Sequence, residues 1–204
     1  MPEKTRSKGE QTRTNIVEAA HSLFLDQGYH GTSMRQISRQ AGISLGGIYN
    51  HFVNKEEIFE AVFLQNHPFL DILPALLKAE GGTPELLVRD MAAHTVDSYN
   101  KHPGFLKLMF IEIIEFKSVH TIGMFNTIFP QASAHVERVI STERGGVRDI
   151  PAQIMIRSFI SLFFSYYLSE VILSPNPELP FAYRDRAMDY FVDIYLHGIL
   201  ARDD

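Results

Sequence analysis

With 204 residues, 45% of them hydrophobic, the chain is long enough for one or two domains with a sizeable core. It has no cysteine, which excludes disulfides and thiolate metal sites and fits a reducing compartment. The formal net charge is −5, yet residues 1–55 hold seven Lys/Arg against four Asp/Glu (net +3) and the remainder twelve against twenty (net −8); a basic head on an acidic body is expected where only one end approaches phosphate.

Residues 1–10 are polar, with Lys4, Arg6 and Lys8 alternating. They read as a mobile N-terminal arm, either a solvated tail or an arm that tracks phosphate or the minor groove. A first helix is predicted from about Gln11 to Gln27. Ile16, Ala19, Ala20, Leu23 and Phe24 give it a buried stripe, and Gly28 ends it. Ser33 with Gln36 fits a capping box for a second helix with Met34, Ile37 and Ala41 on its inner face. Gly42 permits the left-handed turn that stops it. Ile43 plugs the corner, and Ser44 caps a third helix of barely two turns, to about Asn50. Two short helices joined by a Gly-containing turn are the helix-turn-helix pattern, whose second helix enters the major groove. Asn54 and Glu57 cap a fourth helix with Ile58, Phe59, Val62 and Phe63 inward, and Pro68 ends or kinks it.

Breakers divide the rest into helical pieces. Gly81 and Gly82 precede a helix of about Pro84 to Lys101, and Pro103 opens another through Lys117. A further helix covers about Ile122 to Glu143, with a break near Pro130. Gly145 and Gly146 separate it from Pro151 to Leu173, and the loop SPNPELP precedes a last helix of about Ala182 to Ala201. No alternating strand pattern, internal repeat or low-complexity segment is present. The fold class expected is all-α, with about nine helices. The start of the chain lacks the apolar core of a signal peptide. The uncharged run Ser158 to Ser169 is twelve residues long, too short to span a bilayer, so a soluble cytoplasmic protein is expected.

The stretch AGISLGGIYNHFVNKEEIF closely resembles the signature of the tetracycline-repressor (TetR) family of transcription regulators. The matching residues are Thr32, Ile37, Ala41, Gly42, Ser44, Gly47, Tyr49, His51, Phe52 and Lys55, and the upstream IVEAAHSLFLDQGYHGTS matches the family's first helix and its corner at Gly28 and Tyr29. The similarity covers residues 10 to 65. It implies a mobile arm over 1–10, a three-helix helix-turn-helix DNA-binding domain over 11–56 with its motif at about 33–52, and a helical ligand-binding and dimerisation domain over 57–204. The function implied is a homodimeric, ligand-responsive regulator, most simply a repressor, released from a near-palindromic double-stranded DNA operator by a small apolar or amphipathic effector. An effector-independent architectural DNA binder without a pocket is the alternative.

The DNA-contacting residues expected are Thr32, Ser33, Ser44, Tyr49, His51 and Lys55 on phosphates, with Gly46 and Gly47 letting the backbone approach. Leu45, Asn50 and Arg35 or Gln36 are left to read bases. Many family members carry Lys or a polar residue where this chain has Leu45, which suits a thymine methyl and not a guanine edge. The nearly all-apolar FLKLMFIEIIEFK at 105–117 must be covered on every side. Phe105, Met109, Phe110, Ile113 and Phe116, with Met124, Phe125, Phe129, Phe159, Phe163 and Tyr167, are therefore either ordinary core or the walls of the implied ligand cavity. Ser158, Ser161, Ser165 and Ser169 form a stripe of small residues, and Tyr190, Phe191, Ile194, Tyr195 and Gly198 an apolar face. The resemblance places both in a four-helix dimer interface; burial within one chain is the other reading. Glu112 and Glu115 share a helix face, either solvated or attractive to a cation. The histidines at 67, 94, 102, 120, 135 and 197 show no metal-ligand spacing. No metal, cofactor, membrane partner or enzymatic activity is expected, since GxSxG, phosphate-loop and zinc-protease motifs are absent.

Overall fold

The structure is a computed structural model and describes residues 7–78, 83–142, 147–173 and 186–200. The described residues form ten α-helices: α1 (Lys8–Gly31), α2 (Met34–Gln40), α3 (Leu45–Ile48), α4 (Lys55–Gln65), α5 (Phe69–Lys78), α6 (Pro84–Lys101), α7 (Phe105–Phe116), α8 (Val119–Thr142), α9 (Ala152–Leu173) and α10 (Ala187–Ile199). β pairing among them is limited to an isolated bridge between Val147 and Leu200. The fold is all-α, as expected. The chain divides into two compact units, Met1–His67 with Gly104–Gly123 and Pro68–Pro103 with Met124–Asp204.

In the first unit, α1 begins three residues before its expected start because Ser7 and Glu10 form a capping box, satisfying two orphan N–H groups at once. Residues 8–10 are therefore helical and not part of a mobile arm; Lys4 and Arg6 lie outside the described residues. Gly28 takes φ 76° and ψ 174°, a conformation open essentially to glycine alone, so the helix kinks there and adds one turn, Tyr29 to Gly31. Ile16, Ala20, Phe24, Ile37, Ile48, Ile58, Phe59, Val62 and Phe63 are wholly or almost wholly buried. At about 1.5–3 kcal/mol per large side chain, this packing fixes α1 to α4 as one body. α7 completes it: Leu108 joins the same core, and Phe116 stacks on Phe59 at 4.6 Å and meets Tyr29 edge-on at 4.9 Å. The head therefore extends beyond residue 56, to α4 and α7.

The second unit packs α5, α6, α9, α10 and the part of α8 after Gly123. Val88, Ala92, Met155, Phe163, Val192, Tyr195, Leu196 and Ile199 form its core, and Tyr99 stacks on Tyr167 at 4.3 Å. Pro68 does not merely end α4. Its carbonyl accepts from the N–H groups of Asp71 and Ile72, so it opens α5, a helix not separately expected. Nor is α8 broken at Pro130; it runs through it for 24 residues. The missing N–H removes one helical bond, and burial of Met124, Ala132, Ser133 and His135 on both sides holds the helix together. α9 is 22 residues long and, among the described residues, the one helix long and apolar enough by length and composition to cross a membrane. The uncharged run of twelve understates its reach, because the helix continues apolar past Arg157 and Glu170 at either end of that run. Residues 182–185 and 201 of the expected last helix lie outside the described residues.

Candidate nucleic-acid interface and ligand cavity

The helix-turn-helix is built by local hydrogen bonds that the residue types dictate. The Ser33 hydroxyl accepts from the Gln36 N–H at 3.3 Å, and the Gln36 side-chain oxygen accepts from the Ser33 N–H at 2.8 Å. Gly42 takes φ 70°, reversing the chain after α2. The Ser44 hydroxyl accepts from the Gly47 N–H at 3.0 Å; a Cβ on Gly47 would lie 3.1 Å from that oxygen and crowd the cap. Ile37 and Ile48 are fully buried between the two helices. What remains outward is a short ridge. Ser44, Leu45, Gly46, Tyr49 and Asn50 are exposed, as are Arg35 and Arg39 on α2.

Several residues expected at phosphate are engaged inside the head. Thr32 is buried, and its hydroxyl donates to the Gly28 carbonyl at 2.9 Å. Lys55 Nζ donates to the carbonyls of Tyr29 and Thr32, both at 2.7 Å, and stands 4.1 Å over the Tyr29 ring. Burial lowers the pKa of the Lys55 ammonium, and Glu115 counters this. Ser33 and Gln36 cap each other, and Gln36 also donates to Gln27. His51 is half-buried, and its carbonyl accepts from Arg13, whose guanidinium covers the Phe52 ring at 4.0 Å. Lys55 and Arg13 thus tie the corner of α1 and the end of the motif to the core, a role sequence reading did not assign.

Glu112 is not solvated. It is fully buried and accepts from the N–H groups of His120 at 2.8 Å and Thr121 at 3.0 Å, and it meets His120 Nδ1 at 2.7 Å. It therefore caps the start of α8. Glu115 pairs instead with His30 at 2.6 Å. Among the described residues no group of three or more His, Cys, Asp or Glu could hold a metal ion.

The second unit contains a cavity of about 120 Å³. α5 lines it with Phe69, Ile72, Leu73 and Leu76, and α6 with Leu87, Val88, Met91, Thr95 and Tyr99. Phe125, Phe129 and Ala132 of α8, Ile156, Phe159 and Ile160 of α9, and Tyr195 of α10 contribute to the remaining wall. Phe125, Phe129 and Ile160 also border a more open groove holding Asn126, Gln153, Arg157 and Ser161.

The family model for bacterial regulatory proteins of the tetR family matches residues 16–62. TtgW of Pseudomonas putida, an uncharacterized HTH-type transcriptional regulator, is 30% identical over 135 residues, 65% of this chain and 94% of that protein. The chain belongs to the TetR family. UidR of Escherichia coli, an HTH-type transcriptional regulator, is 36% identical over 66 residues, and the chain spans only 34% of its length. Among solved structures, NalD of Pseudomonas aeruginosa, the secondary repressor of the MexAB-OprM multidrug efflux pump, matches with TM-score 0.66 and 23% identity, over 98% of this chain and 100% of NalD. A TetR family regulator from Marinobacter aquaeolei matches with TM-score 0.64 and 15% identity, over 95% of this chain and 97% of that one. Such distant matches carry the fold.

Set in the TetR family, the expected cavity walls divide. Phe125, Phe129 and Phe159 line the cavity. Phe105, Met109, Phe110, Ile113 and Phe116 do not, because α7 packs in the head. Phe105 meets His67 at 4.9 Å, Phe116 joins the aromatic cluster, and Phe110 and Ile113 are about half exposed. Met124 and Phe163 are buried elsewhere in the second unit, and Tyr167 stacks on Tyr99. The walls from α5 and α6 were missed; the apolar spacing of Phe69, Ile72, Leu73 and Leu76 was the available signal. The expected dimer residues divide too. Tyr195 is a buried cavity wall whose hydroxyl donates to the Met155 carbonyl, and Phe191 packs on Tyr166. Ser158 and Ser169 donate to carbonyls of their own helix. Ser161, Ser165, Tyr190, Ile194 and Gly198 are exposed.

Proposed function

We propose that this chain is a DNA-binding transcriptional regulator of the TetR family that acts as a homodimeric repressor in the cytoplasm. The observation that carries the reading is the ridge of Ser44, Leu45, Tyr49 and Asn50, exposed around a backbone whose other side is fixed by the buried Ile37, Ile48 and Phe52. Ser44 and Tyr49 contact phosphate, the bare backbone at Gly46 and Gly47 lets the helix sit close, and Leu45 and Asn50 face the base edges. Ser33, Arg35, Gln36 and His51 flank this ridge, while Thr32 and Lys55 hold it in shape.

Two copies are needed, because one four-residue helix reads too few bases. The two recognition helices then enter successive major grooves about 34–36 Å apart on a near-palindrome. The exposed positions Ser161 and Ser165 of α9 and Tyr190, Ile194 and Gly198 of α10 are the dimer face. A second copy, not lipid, covers the apolar exposure of α9. The effector enters the cavity of the second unit and favours the state whose reading heads are wrongly spaced. No catalytic role is proposed. An architectural DNA binder needs no cavity, and the 120 Å³ void favours the sensor.

Selection of bound fragments from the source genome by the purified protein, without added ligand, tests the reading. Enrichment of one near-palindrome is expected. Uniform, salt-sensitive recovery of all fragments would show phosphate binding alone and overturn it.

A further inference from the structure

We infer that the effector held by the second unit is a compact, uncharged, hydrocarbon-like molecule of about one aromatic ring, and not a carboxylate or an ammonium. The inference rests on reading that cavity as the effector site.

Three observations carry it. The lining contains no Asp, Glu, Lys, Arg or His among the described residues. Two of its hydroxyls are already bonded to the protein: Thr95 Oγ1 donates to the Met91 carbonyl at 2.7 Å, and the Tyr195 hydroxyl donates to the Met155 carbonyl at 2.8 Å. The volume, about 120 Å³, is close to the roughly 150 Å³ at which an apolar protein cavity stays dry and accepts benzene. An ionised group entering such a site gives up its hydration and finds no counter-charge, the costliest form of burial. An uncharged ring gives up almost nothing and gains contacts with Phe125, Phe129, Phe159 and the adaptable Met91.

Among the described residues lining the neighbouring groove the one charged side chain is Arg157, and that groove shares the walls Phe125, Phe129 and Ile160 with the cavity. Its guanidinium is exposed, so water already solvates it, and a carboxylate there gains little over solution.

The experiment uses the full chain and three compounds that share one phenyl ring and differ in charge: toluene, benzoate and benzylamine. Thermal shift and titration calorimetry are read for each. Toluene is expected to stabilise the protein saturably and to bind on the order of 100-fold or more tightly than either ion. Thr95→Val, which keeps shape and removes one hydroxyl, should leave toluene binding equal or tighter. Ala132→Leu, which fills the cavity, should abolish it; if that variant fails to fold, the smaller step Ala132→Val at the same wall should weaken it. Benzoate binding as tightly as toluene, and lost in Arg157→Gln, would place an anionic head in the groove and overturn the inference. Failure of all three compounds to bind would overturn it as well, leaving the void as a packing feature. Because the operator selection is run without ligand, its outcome stands or falls separately. Release of an enriched operator by toluene would join the two.

Discussion

Glu112 and His120 form a buried pair across the α7–α8 corner, 2.7 Å apart, with the carboxylate wholly inaccessible and the imidazole nearly so. The carboxylate also holds the first N–H groups of α8, so one acid satisfies three donors in a low-dielectric setting. Removing it strands all three. Glu112→Leu is expected to cost about 3–5 kcal/mol, and Glu112→Gln, which keeps one acceptor, about 2 kcal/mol. Adding His120→Phe to Glu112→Leu should recover only part of the loss, because the two backbone donors stay unpaired. Chemical denaturation of the four proteins measures this; equal stability of Glu112→Leu and wild type would show that the cap contributes nothing.

The same corner is strained. Lys117 and Ser118, consecutive and neither of them glycine, both sit in the left-handed region at φ 52° and 65°. Such residues cost on the order of 1 kcal/mol or more each and persist where surrounding bonds dictate the turn. Here the Ser118 N–H donates to the Glu112 carbonyl at 3.1 Å. Lys117→Gly should raise stability by about 1 kcal/mol, less the added entropy of the unfolded chain. Lys117→Val, β-branched, should lower it. A melting temperature unchanged in both would remove strain from the account.

The helix-turn-helix is legible in the sequence because its determinants are local. Ser33 caps Gln36, Ser44 caps Gly47 and Gly42 turns the chain, each acting within three or four residues. The cavity is not legible in this way. Periodicity shows that α7 is apolar on nearly every face but not what those faces meet. Some of them meet Phe59 and the Tyr29 corner, and Phe110, Ile113 and Ile114 are about half exposed or more. Likewise a cation in a phosphate-binding signature reads as a phosphate ligand. Only three-dimensional packing shows that Lys55 reaches back 23 and 26 residues to two carbonyls. Glu112 carried a signal that was available, an acid set among Ile111, Ile113 and Ile114 in an apolar helix.

Leu45 is the most exposed apolar side chain of the recognition helix, at 37%. It offers a groove methyl contacts and no donor. Leu45→Lys should change the operator base preferred under it by about 1–3 kcal/mol of discrimination, whereas Tyr49→Ala should weaken all sequences alike. Selection from a randomised library separates the two; an unchanged preference in Leu45→Lys would remove it from the readers.

Alkaline stability follows from Tyr195. Burial pushes its pKa up from 10.0 to about 12; Tyr99 is also pushed up, by burial and by Tyr167. A group raised in the folded state keeps its full contribution below its unfolded value and loses it as pH rises through the folded value. Stability should therefore fall from about pH 10 and continue to fall to about 12. Tyr195→Phe should cost about 1 kcal/mol at neutral pH, through the lost bond to the Met155 carbonyl, and should flatten this alkaline decline. Denaturation midpoints at about pH 8 to 11 for both proteins provide the check, and parallel curves would show that Tyr195 does not govern the slope.

Lys55 distinguishes holding the DNA from holding the reader. Two of its three donors are satisfied by the Tyr29 and Thr32 carbonyls and its charge lies on the Tyr29 ring, so Lys55→Met should destabilise the head by about 2 kcal/mol. A cation on phosphate leaves a different trace: its removal lowers the slope of log affinity against log salt by about 1. For Lys55→Met the slope should stay at its wild-type value while stability falls and affinity drops equally at every salt concentration. Arg35→Met, whose guanidinium is exposed, is the control in which the slope should change and the melting temperature should not. A reduced slope in Lys55→Met at unchanged stability would return Lys55 to the phosphate backbone.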